Sequence, residues 1–260
     1  MNLKQRIWII TKLLLIIIGI FLAVYIILNA PALWKKFNYW YTTKFKQESW
    51  PESYQVVPVN LKNNLGYILT PTHSNQNTNN SVPNNNSNVN ANSEVVLDNN
   101  YLYIPKLGIR APVNWEVSES EAIDKLQTGV VHLRSTGLPG TDGNIFISGH
   151  SSYYWWDPGQ YKTIFALLPN IANDDIVYIT YNNVLYTYQV IETITVNPGD
   201  TWVMDKLNFP AVSLMTCVPV GTNLQRFIVR AKQISPNTSQ EKPKEQKTPT
   251  NKPNLLPFIF

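Results

Sequence analysis

Val212-Ser-Leu-Met-Thr-Cys217-Val-Pro-Val-Gly-Thr-Asn-Leu-Gln-Arg226-Phe-Ile-Val-Arg-Ala231 reads as two apolar strands joined by a turn. Val212 to Cys217 is apolar and β-branched, Pro219, Gly221 and Asn223 are turn chemistry, and Leu224 to Ala231 returns as a second strand. Pro219 has no amide hydrogen for a ladder, so the first strand must stop close to Cys217. A hairpin centred near Gly221 and Thr222 sets Cys217 opposite Arg226, with both side chains on one face. A neighbouring guanidinium favours the thiolate, the reactive form of a cysteine. Cys217 is the only cysteine in 260 residues. Lone cysteines are commonly small buried hydrophobes, so the rest of the chain must decide its role.

Upstream, Gly140-Thr-Asp-Gly143-Asn144-Ile-Phe-Ile-Ser-Gly149-His150-Ser151 places a histidine directly after another apolar strand. Gly149 allows close backbone approach. Of the other two histidines, His73 lies in a polar tract and His132 is expected in a loop, bonded to backbone. A thiol nucleophile, an imidazole acid/base and a cation for developing negative charge form an acyl-transfer set. Spacing alone cannot show convergence, since 67 residues separate Cys217 from His150.

From Glu94 to Ile234 the chain is strand-rich. The expected strands are Val95–Leu97, Tyr101–Ile104, Ala111–Val117, Asn144–Ser148, Ile176–Tyr181, Val184–Thr195, Val212–Cys217 and Leu224–Ile234, with Asn182-Asn183 as a hairpin turn. Ser118 to Thr128, with a Ser118/Glu121 capping pattern, and Tyr161 to Leu168 are the helix candidates. About 140 residues with seven or eight short strands suffice for one closed barrel or sandwich core.

Leu13 to Leu28 is sixteen residues without a charge, and with Ile7–Ile10 and Ala30 the span reaches the roughly 20 residues a bilayer needs. Lys12 can snorkel, and Trp34, Phe37, Tyr39, Trp40 and Tyr41 follow as an aromatic belt. The expected organisation is a retained signal-anchor over 1–47, a linker over 48–97, a catalytic domain over 98–234 and a Pro/Lys-rich disordered tail over 235–260. Within the linker, Thr72 to Ser93 is Asn/Ser/Thr-rich, which predicts a disordered tether spanning ~26 Å root-mean-square. Residues 1–47 carry seven basic and no acidic residues, whereas 98–234 carry nine basic and twelve acidic. Basicity therefore belongs to the membrane-flanking segment, and a nucleic-acid footprint is not supported.

The stretch Ser213-Leu-Met-Thr-Cys217-Val-Pro219, with Asn223 and Arg226-Phe-Ile-Val-Arg230, resembles the sortase signature Thr-Leu-x-Thr-Cys with its downstream arginine. Gly143-Asn144 and Gly149-His150 match the segment that delivers the sortase histidine, and Thr136, Pro139 and Gly140 fit the loop before it. Ser213 stands where the family usually has threonine, and keeps the hydroxyl. The resemblance implies a mainly β, sortase-like closed barrel of seven to eight strands with one or two short helices, behind one transmembrane helix. It implies a cysteine transpeptidase in which Cys217 attacks an LPXTG-like sorting signal, His150 is acid and base, Arg226 steadies substrate and oxyanion, and Thr216 supports the site. Trp156, in the Tyr153-Tyr154-Trp155-Trp156 cluster, and Pro198, in the segment Thr195–Pro210 that in sortases walls the substrate groove, would contact the peptide or simply pack.

No metal or cofactor is implied, and Asp174-Asp175 is expected to cap a turn. The implied partners are sorting-signal-bearing surface proteins or pilins, an amine acceptor such as a cell-wall peptide precursor, and the bacterial cell membrane, with a cytoplasmic N-terminus and an extracytoplasmic domain. A cysteine hydrolase on the same fold, or a tethered non-catalytic envelope-binding domain, stays open. L,D-transpeptidases also use Cys, His and Arg, but set the cysteine in a different local context.

Overall fold

A computed structural model describes residues 3–46, 53–61, 64–72, 95–154 and 156–236. The expected tether, from residue 73 onward, and the tail beyond 236 lie outside the described residues, as does Trp155.

Eight strands close into a barrel. They are β4 (Tyr101–Ile104), β5 (Ile109–Val117), β6 (Val130–Leu133), β7 (Asn144–Ser148), β8 (Ile176–Tyr181), β9 (Val184–Val196), β10 (Ala211–Val218) and β11 (Gln225–Ser235). Around the barrel the order is β10-β11-β9-β8-β4-β5-β6-β7. Closure leaves no unpaired sheet edge. The pairs β5/β6 and β7/β10 are parallel, and the others antiparallel. A separate three-stranded sheet joins β1 (Ser53–Leu61), β2 (Asn64–Thr72) and β3 (Val95–Leu97). Val95–Leu97, expected with the barrel strands, thus pairs elsewhere.

Strand alternation sorts the core into two layers. Ile145 and Ile147 of β7, Val212 and Leu214 of β10, and Val229 and Ala231 of β11 fill the interior. Phe146, Met215 and Ile228 face outward, and are covered by Ala122, Leu126, Val203 and Met204. Because both faces are covered, β7 is buried along its whole length, which explains the consecutive apolar residues Ile145-Phe146-Ile147 at its centre.

Two expected helices are replaced by shorter pieces. Ser118 and Glu121 do form the capping box, but it opens a 3-10 turn (Glu119–Glu121) and then one turn of α-helix, α2 (Ala122–Lys125). Tyr161–Leu168 forms a run of turns before a 3-10 turn at Leu168–Asn170. There Phe165 donates its amide to the His150 carbonyl at 2.9 Å, which holds the chain against the barrel instead of in a helix.

β6 was not expected. It carries His132, so His132 is a strand residue and not a loop one, but its bonding to backbone is as expected. Fully buried, it accepts the Glu116 amide at Nδ1 (3.2 Å) and donates Nε2–H to the Gly137 carbonyl (2.8 Å). That pattern requires a neutral ring, so the Glu116 carboxylate 3.6 Å away is not an ion-pair partner. Burial lowers its pKa to about 4. The unfolded chain binds this proton below about 6.5 and the folded one resists until about 4, so folding stability should fall as pH drops through that window. The limiting loss is about 3 kcal/mol, and circular-dichroism melts of the full chain from pH 7 to 4 should show it, with a flatter profile for His132→Asn.

The N-terminal helix α1 (Leu3–Tyr41) runs unbroken past the apolar span, and it is the one helix among the described residues long and apolar enough to cross a membrane. Its large apolar residues from Ile7 to Leu28 are exposed, whereas Tyr25, Asn29, Ala32 and Tyr39 form a stripe against the barrel. The Tyr25 hydroxyl donates to the Val220 carbonyl (2.8 Å), and Lys35 Nζ to that of Thr163 (3.3 Å). Gly221 is pressed so close that a Cβ there would lie 2.2 Å from Asn29 Oδ1.

Candidate active site

The β10–β11 register pairs Cys217 with Arg226, and the strand ends at Val218, just before Pro219. Both match what the turn chemistry predicts. On the other side β10 runs parallel to β7, with Met215 opposite Ser148. The ladder continues one step further, because the Gly149 amide donates to the Met215 carbonyl at 3.0 Å. His150 is therefore the next residue alongside Cys217. Side-chain parity then assigns each group to a face. Phe146 and His150 share one side of their segment, Met215 and Cys217 one side of β10, and Arg226 and Ile228 one side of β11. Phe146, Met215 and Ile228 belong to one outward-facing cluster. Thiol, imidazole and guanidinium thus lie on the same outer face, at the same end of the barrel.

Supporting bonds fix each group. Thr216 Oγ1, on the inner face, donates to the Gly149 carbonyl at 2.9 Å and ties β10 to the exit of β7. Gly149 is obligatory here: a Cβ would fall 2.4 Å from the Phe165 ring. Two pairs further back, Ser213 Oγ donates to Asn144 Oδ1 (2.7 Å), and Asn144 Nδ2 donates to the Val203 carbonyl (2.8 Å). The hydroxyl that Ser213 retains is thus a strut between the two site-bearing strands. Arg226 is 2% exposed, and its Nη1 donates to the Asn223 carbonyl at 2.9 Å. The turn residue Asn223 therefore aims the guanidinium. His150, 7% exposed, stacks on Tyr153 with ring centroids 4.6 Å apart.

Electrostatics correct one expectation. Burial pushes the Cys217 thiol up, against the opposing pull of Arg226, so the guanidinium does not produce a resting thiolate. Burial lowers His150 to about 4, only partly offset by Asp157. Near neutral pH the pair rests as thiol and neutral imidazole. This arrangement suits an imidazole that accepts the thiol proton as attack begins.

Among the other candidates, Pro198 lies two residues beyond Val196, the β9 partner of Arg226, in a turn closed by the Asn197 amide on Asp200 (2.7 Å). Beyond it, Thr201–Met204 is a 3-10 turn whose Val203 and Met204 are buried in the outer cluster. Trp156 is 58% exposed, stacked on Tyr154. Arg230 makes a structural ion pair with Glu192, and Asp175 caps a turn by accepting the Ala172 amide while pairing with Lys106.

The sortase domain model matches residues 102–234, the whole site included. The chain belongs to the sortase family. Members of that family are cysteine transpeptidases. Sortase D of Bacillus subtilis (strain 168) is 25% identical over 138 residues, 52% of this sortase and 63% of the relative, so the chain spans less than two thirds of the curated relative it matches. Similar solved structures include sortase C-1 of Actinomyces oris (25% identity, TM-score 0.45, 52% of this chain and 72% of that one). Another is the lid mutant of sortase A from Corynebacterium diphtheriae (26%, 0.46, 54% and 72%). Sortase C1 of Streptococcus agalactiae is a third (29%, 0.45, 53% and 68%).

Proposed function

We propose that this sortase is a membrane-anchored cysteine transpeptidase that cleaves an LPXTG-like sorting signal and transfers the acyl portion upstream of the cut to an amine. The observation that carries the reading is the shared outer face of Cys217, His150 and Arg226 at one end of the barrel, where Cys217 is half-buried. Cys217 attacks the scissile carbonyl as His150 takes the thiol proton. The tetrahedral oxyanion collapses to a thioester as His150 protonates the leaving amine. An incoming amine, from a cell-wall peptide precursor or a pilin lysine, then attacks the thioester as His150 takes its proton, and His150 passes that proton to the departing sulfur to restore the thiol. Arg226 supplies the positive charge for the oxyanion, and Thr216 positions the histidine-bearing segment. α1 serves as a signal-anchor with a cytoplasmic N-terminus, which places the barrel outside the cell.

The test is intact-mass spectrometry of the detergent-solubilised chain with an LPXTG-type peptide library and an added amine. An acyl adduct on Cys217 that resolves to amine-ligated product is expected. Resolution only to the free acid, even in excess amine, would replace transfer by hydrolysis. No adduct with any peptide would remove the catalytic reading. Arg226→Lys keeps the charge but loses the fork held by Asn223, and should lower kcat/KM about 100-fold. Steady-state kinetics of peptide cleavage measure this.

A further inference from the structure

The membrane helix and the catalytic end of the barrel are joined by a seam whose position along the helix is set by named contacts. Tyr25 bonds Val220, Asn29 abuts Gly221, and Ala32 packs with Val220 and Ala166. Val220 and Gly221 lie in the turn immediately after Cys217. A groove of about 230 Å³ along the same seam is lined by Leu28, Asn29 and Ala32 on one side and by Ser152, Tyr153 and Gly159 on the other. The loop that follows His150 therefore sits level with residues 28–32 of α1.

That level is where the helix leaves the bilayer. From Ile7 to Leu28 the axis advances roughly 30 Å, the thickness of a hydrocarbon core. All the large apolar side chains of that stretch other than Tyr25 are exposed. At the same height the post-His150 loop carries Tyr154 and Trp156, 55% and 58% exposed and stacked with centroids 4.8 Å apart. Leu224, 66% exposed, projects from the turn that bears Val220. Tyrosine and tryptophan are the residue types that seat at the lipid–water boundary. The nearest acid in the loop, Asp157, is turned back to accept the Gly159 amide at 3.1 Å.

We infer that Tyr154 and Trp156, in the loop that follows His150, form a second membrane contact, seated in the phospholipid interface beside the exit point of α1. The Cys217 end of the barrel then faces the membrane surface, and a donor or acceptor must reach it laterally along the lipid interface. The inference rests on α1 being a membrane anchor, and it assigns Trp156 to lipid in place of the sorting-signal peptide.

The experiment uses the full chain in phosphatidylcholine/phosphatidylglycerol nanodiscs. In a Cys217→Ala background, single cysteines replace Phe21, Tyr154, Trp156 or Val184 and carry a nitroxide. Val184 is at the opposite end of the barrel, in the β8–β9 hairpin, and each loop variant keeps the other aromatic. Power-saturation electron paramagnetic resonance compares collisions with oxygen and with a nickel chelate. The label at 21 should report hydrocarbon, and that at 184 bulk water. Labels at 154 and 156 should give an oxygen-to-nickel ratio severalfold above that at 184. Loop labels matching 184 while 21 is deep would overturn the loop's lipid contact alone. A label at 21 in water would overturn the anchor and the inference together. Loop labels that lose nickel access only when a sorting-signal peptide is added would return Trp156 to the peptide groove and overturn the inference.

Discussion

Cys217→Ala should lower transpeptidation by at least about 10⁴-fold and eliminate the acyl-enzyme adduct, while leaving the fold intact. In the proposed mechanism Cys217 is the covalent nucleophile, so its removal takes away the reaction path itself, and effects of that size follow in comparable enzymes. The single cysteine leaves no substitute thiol elsewhere in the chain. The structural cost should be small, because Cys217 is only half-buried, makes no disulfide, and lies one residue from the end of β10. Its deletion removes one half-buried sulfur, about 1 kcal/mol or less of burial. Intact-mass spectrometry and a thermal melt on the same sample separate the two effects. A missing adduct with an unchanged melting temperature is the expected outcome, and a variant that still transfers peptide would exclude Cys217 as the nucleophile. Because burial raises the thiol in the resting enzyme, iodoacetamide should alkylate wild-type Cys217 more slowly at pH 7 than a free cysteine.

The hairpin was legible because its chemistry is local. Pro219 stops one strand, Gly221 and Asn223 turn the chain, and the count from Cys217 to Arg226 fixes the pairing that the barrel shows. The position of His150 was legible only in part. Its strand could be read from Asn144–Ser148, but its parallel alignment with β10 is a long-range contact with no local sequence signature. β6 was lost because Val130–Leu133 is four residues long and contains a histidine. A fully buried His132 is polar in sequence yet satisfied entirely by backbone and Thr136. Tyr161–Leu168 has helical apolar spacing, but Gly149 admits the Phe165 ring and the His150 carbonyl takes its amide, so tertiary contacts override local preference.

The seam between α1 and the barrel was hidden for a different reason. A helix that is apolar all round shows no amphipathic stripe. The docking residues are its exceptions: Tyr25, Asn29 and Ala32 recur at helical spacing, and Asn29 is a polar residue at the end of an otherwise lipid-ready run. That isolated asparagine was the signal available. Its function became visible only once Gly221 was seen against it.

His150→Gln should reduce kcat/KM for peptide cleavage by about 10³-fold, with a much smaller change in peptide KM. Glutamine roughly fills the imidazole volume but cannot take the thiol proton or return one to the leaving amine. The Phe165 amide bond to the residue-150 carbonyl and the Gly149–Met215 rung involve backbone alone, so both survive the substitution and the local fold should hold. The pH profile distinguishes a proton carrier from a merely structural ring. In the proposed mechanism the neutral imidazole is the competent base, and burial keeps it neutral down to about pH 4. Protonation below that value blocks transfer from the thiol, so kcat/KM should fall as pH drops through about 4. The residual activity of His150→Gln should lack that acid limb. A profile of unchanged shape, merely scaled down, would mean that His150 acts only by packing against Tyr153 and that another group carries the proton.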